Sequence, residues 1–94
     1  MKNMLNKDDF YLNLGKNIKK IREDKGLSLD EFSKTSGLGL NKSTISAIEN
    51  GKQKLSIYQL CLIVENLDIK ISDIINNPEN ELLNKNDLNK LENL

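Results

Sequence analysis

NKSTISAIENGKQK, residues 41–54, is the stretch that decides the fold. Asn41 can cap a helix, because its side-chain oxygen can accept a hydrogen bond from a backbone N–H two or three residues later. Ile45 and Ile48 are three residues apart, so they share one helix face, and this predicts that the face points into a core. Gly51 can end the helix in a left-handed conformation. The stretch therefore predicts one short helix with an apolar back and a basic turn after it.

The outer face of this predicted helix suits the major groove of DNA. Its side chains are small or polar, and lysines lie at its start and just beyond its end, at Lys42, Lys52 and Lys54. A helix of this kind can present short side chains to base edges while cations at its ends meet the phosphate backbone.

The charge of the chain is zero overall but unevenly distributed. Residues 15–25 carry five Lys or Arg and two acids (net +3), and residues 41–54 carry three lysines and one glutamate (net +2). Residues 65–94 carry three lysines and seven acids (net −4). A basic middle and an acidic end are typical of a protein that presents one face to a polyanion, although ordinary surface variation gives the same pattern.

The rest of the composition limits the classes of function. A chain of 94 residues can build one small domain with a modest core. The single Cys61 and the absence of histidine exclude an internal disulfide and a cysteine-rich zinc site, and disfavour an enzyme. We therefore expect no metal and no cofactor. No signal peptide and no membrane-spanning run is found, so a cytoplasmic protein is expected.

Further helix signals lie on both sides of the central stretch. Leu14, Ile18 and Ile21 recur at helical spacing and predict a first helix over residues 11–24. Ser28 with Glu31 is a capping-box pattern and predicts a second helix over residues 29–36. The two glycines of Gly37-Leu38-Gly39-Leu40 predict a turn before the central helix.

The second half of the chain continues the pattern. Ser56 with Gln59 is another capping box and predicts a fourth helix to about residue 66. Its expected core stripe is Ile57, Leu60, Cys61 and Val64, with Cys61 as a small buried hydrophobe. Ser72 is the predicted cap of a brief fifth helix that carries Ile74 and Ile75 and ends before Pro78.

These signals predict an all-α fold, a compact bundle of five short helices containing a helix-turn-helix. Residues 1–11 are predicted to form an N-terminal arm, with the start of the first helix as the alternative for residues 1–10. Residues 12–77 are predicted to form the domain and residues 78–94 a C-terminal tail. The tail is either disordered or a weak amphipathic helix that needs a partner surface for oligomerisation.

Three phrases resemble the phage repressor/Cro-type (XRE-like) helix-turn-helix family, which has a lambda-repressor-like DNA-binding domain. They are IKKIREDKGLSLDEFSKTSGL (18–38), NKSTISAIENGK (41–52) and LSIYQLCLIVENLDIKISDII (55–75). The resemblance covers roughly residues 14–75 in order, spacing and capping positions. It departs from the usual pattern at the two turn residues Gly39 and Leu40, at Leu29, and at Leu55.

The resemblance implies a role for individual side chains. It implies base contacts from Lys42, Ser43 and Ala47, and a structural ion pair between Arg22 and Glu49. The implied phosphate contacts come from Asn41, Thr44, Ser46, Lys52 and Lys54. The family also implies a homodimer on a palindromic operator, with Ile69, Ile71 and the leucines of the tail as the candidate dimer surface.

Two function classes stay open at this point, with an enzyme as the weakest third. The first is a sequence-specific transcriptional regulator, most simply a repressor that binds double-stranded DNA. The second is an antitoxin-like or anti-regulator module on the same fold, which binds a protein partner through its acidic C-terminal part.

Overall fold

A computed structural model describes residues 6–75, which form five α-helices and no strand. The helices are α1 (Lys7–Asp24), α2 (Leu29–Ser36), α3 (Lys42–Glu49), α4 (Ile57–Leu67) and α5 (Ile71–Ile75). The predicted all-α bundle is confirmed for this part of the chain. The predicted tail, residues 78–94, lies outside the described residues.

Helix α1 begins four residues earlier than the periodicity predicted. Asn6 caps it, because its side-chain oxygen accepts a hydrogen bond of 3.1 Å from the backbone N–H of Asp9. Asp8 and Asp9 add negative charge at the positive end of the helix dipole. Residues 7–11 therefore belong to α1, which agrees with the second of the two readings of residues 1–10, the start of the first helix.

The two predicted capping boxes are confirmed. Ser28 accepts from the Glu31 N–H at 3.1 Å, while the Glu31 carboxylate accepts from the Ser28 N–H at 2.8 Å. Ser56 and Gln59 repeat the arrangement at the start of α4. Each box satisfies two backbone donors that a helix start otherwise leaves free, so α2 and α4 begin where the sequence predicted.

The predicted core stripe of α4 was wrong in part. Ile57 is 78% exposed and Cys61 is also exposed, so Cys61 is not a buried hydrophobe. The buried positions are instead Ile63 and Leu67. Helix α4 carries apolar residues on almost every face, so two stripes fit its spacing, and packing against α2 and α5 selects the second.

The cap of α5 also differs from the prediction. The carboxylate of Asp73 accepts from the backbone N–H of Lys70 at 3.0 Å, and Ser72 lies inside the helix rather than before it. Of the two expected apolar residues, Ile74 is buried and Ile75 is exposed.

One hydrophobic core joins all five helices. Helix α1 packs on α3 and α5, and α2 packs on α3 and α4. The buried apolar side chains are Leu14, Ile18, Phe32, Ile45, Ile48, Leu55, Ile63, Leu67 and Ile74. Helix α3 contributes Ile45 and Ile48 from one face only, which leaves its opposite face toward solvent.

The turn between α2 and α3 is tied to α2. Both of its glycines have positive φ, and the Gly39 N–H donates to the Ser33 carbonyl at 3.2 Å. The buried Ser33 hydroxyl donates in turn to the carbonyl of Leu40. These two bonds hold the turn in place and so fix the direction in which α3 leaves it.

Candidate nucleic-acid interface

Helix α3 is anchored from behind and capped at its start. Ile45 and Ile48 are 0% and 2% exposed. The side-chain oxygen of Asn41 accepts from the Thr44 N–H at 2.8 Å and from the Thr44 hydroxyl at 2.9 Å. The expected cap is therefore confirmed, and it holds the Thr44 hydroxyl at the start of the helix.

The outer face of α3 holds the three residues expected to contact bases. Lys42 and Ser43 are exposed, and Ala47 is half-buried. Ser43 and Ala47 are four residues apart and therefore share one face of the helix. The face carries no acidic residue in its first turn, so nothing there repels a polyanion.

The residues expected to contact phosphate lie at both ends of α3 and along its side. Asn41 is exposed at the start, and Lys52 and Lys54 are exposed after the end. Thr44 and Ser46 are half-buried. Thr44 is engaged with Asn41, and the Ser46 hydroxyl accepts from the Asn50 amide at 3.4 Å.

The basic turn is held to the end of α3 by its backbone. The N–H groups of Lys52 and Gln53 both donate to the carbonyl of Ala47, at 2.8 and 3.2 Å. Gly51 has φ +76°, and a Cβ built on it would lie 2.8 Å from the Cα of Leu12. The turn therefore follows α3 closely and rests on the backbone of α1.

Arg22 and Glu49 form a bidentate ion pair between α1 and the end of α3. The Arg22 Nε–H donates to one carboxylate oxygen at 2.6 Å and an NH2 group donates to the other at 3.1 Å. The third guanidinium nitrogen donates to the carbonyl of Leu27 at 2.9 Å. The hydrogen bond to Glu49 raises the pKa of Arg22, and burial opposes this more weakly.

This pair also affects the charge beside the outer face of α3. Glu49 is the one acidic residue of α3, and its carboxylate is buried and neutralised by Arg22. The exposed charge on α3 and the following turn therefore comes from lysines, which favours a polyanionic ligand.

Gly15 is a positioning residue that the sequence did not indicate. A Cβ built on it would lie 2.3 Å from the carbonyl oxygen of Ile48 and 2.5 Å from that of Glu49. The backbones of α1 and α3 therefore approach so closely here that no side chain fits between them. The signal available in the sequence was a glycine directly after Leu14 inside the apolar stripe of a helix, a position where glycine lowers helix stability.

The comparisons with known proteins agree with this geometry. The family described as "Helix-turn-helix domain" matches residues 15–88. The control protein C.MunI from Mycoplasma sp is 31% identical over 74 residues, which cover 79% of this chain and 99% of that protein. The chain belongs to the Cro/XRE-type helix-turn-helix family. The predicted family is thus confirmed, as is the prediction of a DNA-binding transcriptional regulator rather than an enzyme.

Solved structures extend the agreement from sequence to fold. The restriction-modification controller protein C.AhdI from Aeromonas hydrophila has a TM-score of 0.61 at 25% identity, over 68% of this chain and 94% of that chain. SinR, described as the master regulator for biofilm formation and solved in complex with DNA, has a TM-score of 0.58 at 33% identity. That match covers 67% of this chain and 98% of that chain.

Residues 6–75 contain neither a membrane span nor a metal site. Their helices are too short or too polar to span a bilayer. The same residues hold no group of three or more Cys, Asp or Glu side chains that could bind a metal ion.

Proposed function

We propose that this regulator reads a specific DNA sequence by inserting α3 into the major groove. Lys42 at the helix start would donate to guanine O6 or N7, Ser43 would pair with a base edge, and the methyl of Ala47 would meet a thymine methyl. The observation that carries this proposal is the two-sided character of α3, with Ile45 and Ile48 buried behind it and a polar front open to solvent.

The flanking residues would hold the protein in register on the backbone. Lys52 and Lys54 would contact phosphates beyond the end of α3, and Asn41, Thr44 and Ser46 would contact those along it. Such contacts give affinity without sequence preference, and they make binding weaken as salt rises. We also propose a cytoplasmic location, which fits a DNA-binding regulator of this helix-turn-helix family.

We further propose a homodimer that represses transcription from a palindromic operator. The two copies of α3 would lie about 34–36 Å apart, which is one turn of DNA. Of the candidate dimer residues, Ile71 is 46% exposed, whereas Ile69 is half-buried and packs against the core. Ile71 is therefore the better candidate, and the leucines of the tail lie outside the described residues.

Selection of preferred duplexes from a random DNA pool would test the reading of sequence. We expect wild-type protein to enrich one site, and a palindrome in that site would report two-fold symmetry. A double variant, Lys42→Ala with Ser43→Ala, should stay folded, because both side chains are exposed, but should lose the preference.

Lys52→Ala is the matched control for this experiment. It removes one exposed lysine beside α3, so we expect weaker binding to every sequence with the preferred site unchanged. If wild-type protein enriches no sequence, or if the double variant enriches the same site as wild type, the proposed role of α3 is wrong.

The alternative function, an interaction module, rests on the acidic residues 65–94, most of which lie outside the described part of the chain. Wild-type protein that shows no shift of DNA at low salt but co-purifies with one protein partner would favour that function. Specific binding to DNA that is independent of any partner would favour the regulator.

A further inference from the structure

The basic turn after α3 lies against the first turns of α1. Gly51 rests directly on the backbone of Tyr11 and Leu12, where a Cβ would lie 2.8 to 3.2 Å from three backbone atoms. This contact leaves no room for a side chain between the two segments. The three residues that follow Gly51 therefore emerge beside the N-terminal half of α1.

Lys54 of the basic turn contacts an aromatic ring of α1 that lies one helical turn after Lys7. The Nζ of Lys54 lies 5.8 Å from the ring centroid of Tyr11, a cation–π contact. Lys7 is four residues before Tyr11 on α1 and so lies on the same face of that helix. Tyr11 is itself fixed, because it packs against the core and makes an edge-to-face contact with Phe10 at 5.3 Å.

The two ammonium groups are close enough to affect each other. The Lys7 ammonium lowers the pKa of Lys54, first because it can donate to the neutral Lys54 amine and then through charge repulsion, whereas Asp8 raises this pKa with a smaller effect. Two exposed cations held together in this way repel each other in the free protein. An anion with several oxygens would remove that repulsion by accepting from both.

We propose that Lys7 and Lys54 together hold one phosphate group of the DNA backbone, with Tyr11 as the positioning residue beneath Lys54. The proposal rests on the proposed function, since the turn that carries Lys54 borders the DNA-facing helix. Lysine suits this role as a compact charge with three donors. It also gives the first turn of α1 a role in binding.

The test measures affinity against salt concentration for the duplex that wild-type protein selects. The proteins compared are wild type, Lys7→Ala, Lys54→Ala, the double variant, and Lys25→Ala as control. Lys25 follows the last residue of α1, about 27 Å from Lys7 along the helix, and its loss changes the net charge equally. The three lysines that these variants replace are all exposed, so melting temperatures should stay near that of wild type.

One shared phosphate gives a distinct expectation for the double variant. Its plot of log affinity against log salt should be shallower by about 0.9 for each protomer. A slope difference of this size, counted from about 1 M salt, is an affinity loss of about eightfold for each protomer at 0.1 M salt. Each single variant should lose part of this amount. Two independent phosphates would instead make the double variant shallower by about 1.8 for each protomer, and this result would overturn the shared site.

Tyr11 is tested by the same salt dependence. Tyr11→Phe keeps the ring and should bind DNA like wild type. Tyr11→Leu should make the plot of log affinity against log salt shallower, while the preferred DNA sequence stays the same. The proposal would be overturned if Lys7→Ala bound DNA like wild type, or if Lys25→Ala weakened binding as much as Lys7→Ala does. Either result would leave the proposed function standing. If wild-type protein bound no duplex, both the shared phosphate site and the proposed function would be wrong.

Discussion

Replacing Arg22 by alanine should strongly destabilise the domain. The side chains of Arg22 and Glu49 are only 12% and 5% exposed. Removal of the guanidinium would leave the Glu49 carboxylate buried without a cation, and the carbonyl of Leu27 would lose its donor. The loss of stability therefore comes mainly from buried polar groups left without partners, and less from the lost attraction between the two charges.

The expected size of the loss follows from the burial of the pair. Breaking a buried ion pair by removing one partner typically costs about 3–5 kcal/mol. A domain of about 70 residues has a total free energy of unfolding of about 4–10 kcal/mol. Arg22→Ala should therefore remove a third or more of the stability, and at the upper end it would leave the domain mostly unfolded at room temperature.

Urea unfolding followed by circular dichroism measures this loss. At a slope of about 1 kcal/mol per molar urea, the midpoint should fall by about 3 M or more. Lys20→Ala is the matched control, since it breaks an ion pair with Asp24 whose side chains are 75% and 65% exposed. An exposed helical pair of this kind contributes only about 0.3–0.5 kcal/mol.

A second variant distinguishes the cost of the unpaired Glu49 charge from the cost of lost side-chain packing. Arg22→Met with Glu49→Leu replaces both partners by apolar side chains of similar volume, which is often neutral or stabilising at a buried pair. It should recover most of the stability that Arg22→Ala loses. If Arg22→Ala unfolds within 1 kcal/mol of wild type, or if the double variant is as unstable as Arg22→Ala, the explanation given for the pair is wrong.

Three other predictions concern single positions. Gly15→Ala should lower the free energy of unfolding by about 1–3 kcal/mol in urea, because the new methyl meets the carbonyl of Ile48. This loss is expected although alanine is the better helix former, so a stabilised variant would contradict the close approach of the two backbones. Because hydrogen bonds from Ser28 lower the pKa of Glu31, this carboxylate should stabilise the fold above its unfolded pKa and lose that effect as pH falls through the folded value. Glu31→Gln should then lose less stability than wild type between about pH 7 and pH 3, and equal losses would exclude this contribution. Cys61 should react with a thiol reagent in the folded protein as fast as in a small thiol peptide, whereas slow reaction would indicate burial.

Features determined by neighbouring residues were predictable from the sequence. The starts of α2, α3 and α4 depend on a cap and a backbone N–H three residues away, so Ser28, Asn41 and Ser56 indicated them directly. The first residue of α1 was not predicted, because the apolar stripe begins after the first turn of the helix and does not report the cap at Asn6.

Features determined by packing were not predictable in the same way. The choice between the two apolar stripes of α4 depends on where α2 and α5 lie, so Ile57 and Cys61 were placed on the wrong side. The close approach at Gly15 joins residues more than thirty positions apart, and no local pattern reports it. The roles of Lys42, Ser43 and Ala47 in contacting bases remain predictions.

The way α3 meets α1 has a consequence for how binding sites can change. At Gly15 and again at Gly51, main chain lies against main chain, so no rotamer change can let α3 tilt or slide. If α3 reads DNA as proposed, an imperfect operator would have to bend or twist to fit the protein, and the flexibility of base steps that the protein never touches would affect affinity. New sequence preferences would then arise by exchanging the few outward side chains on a rigid support.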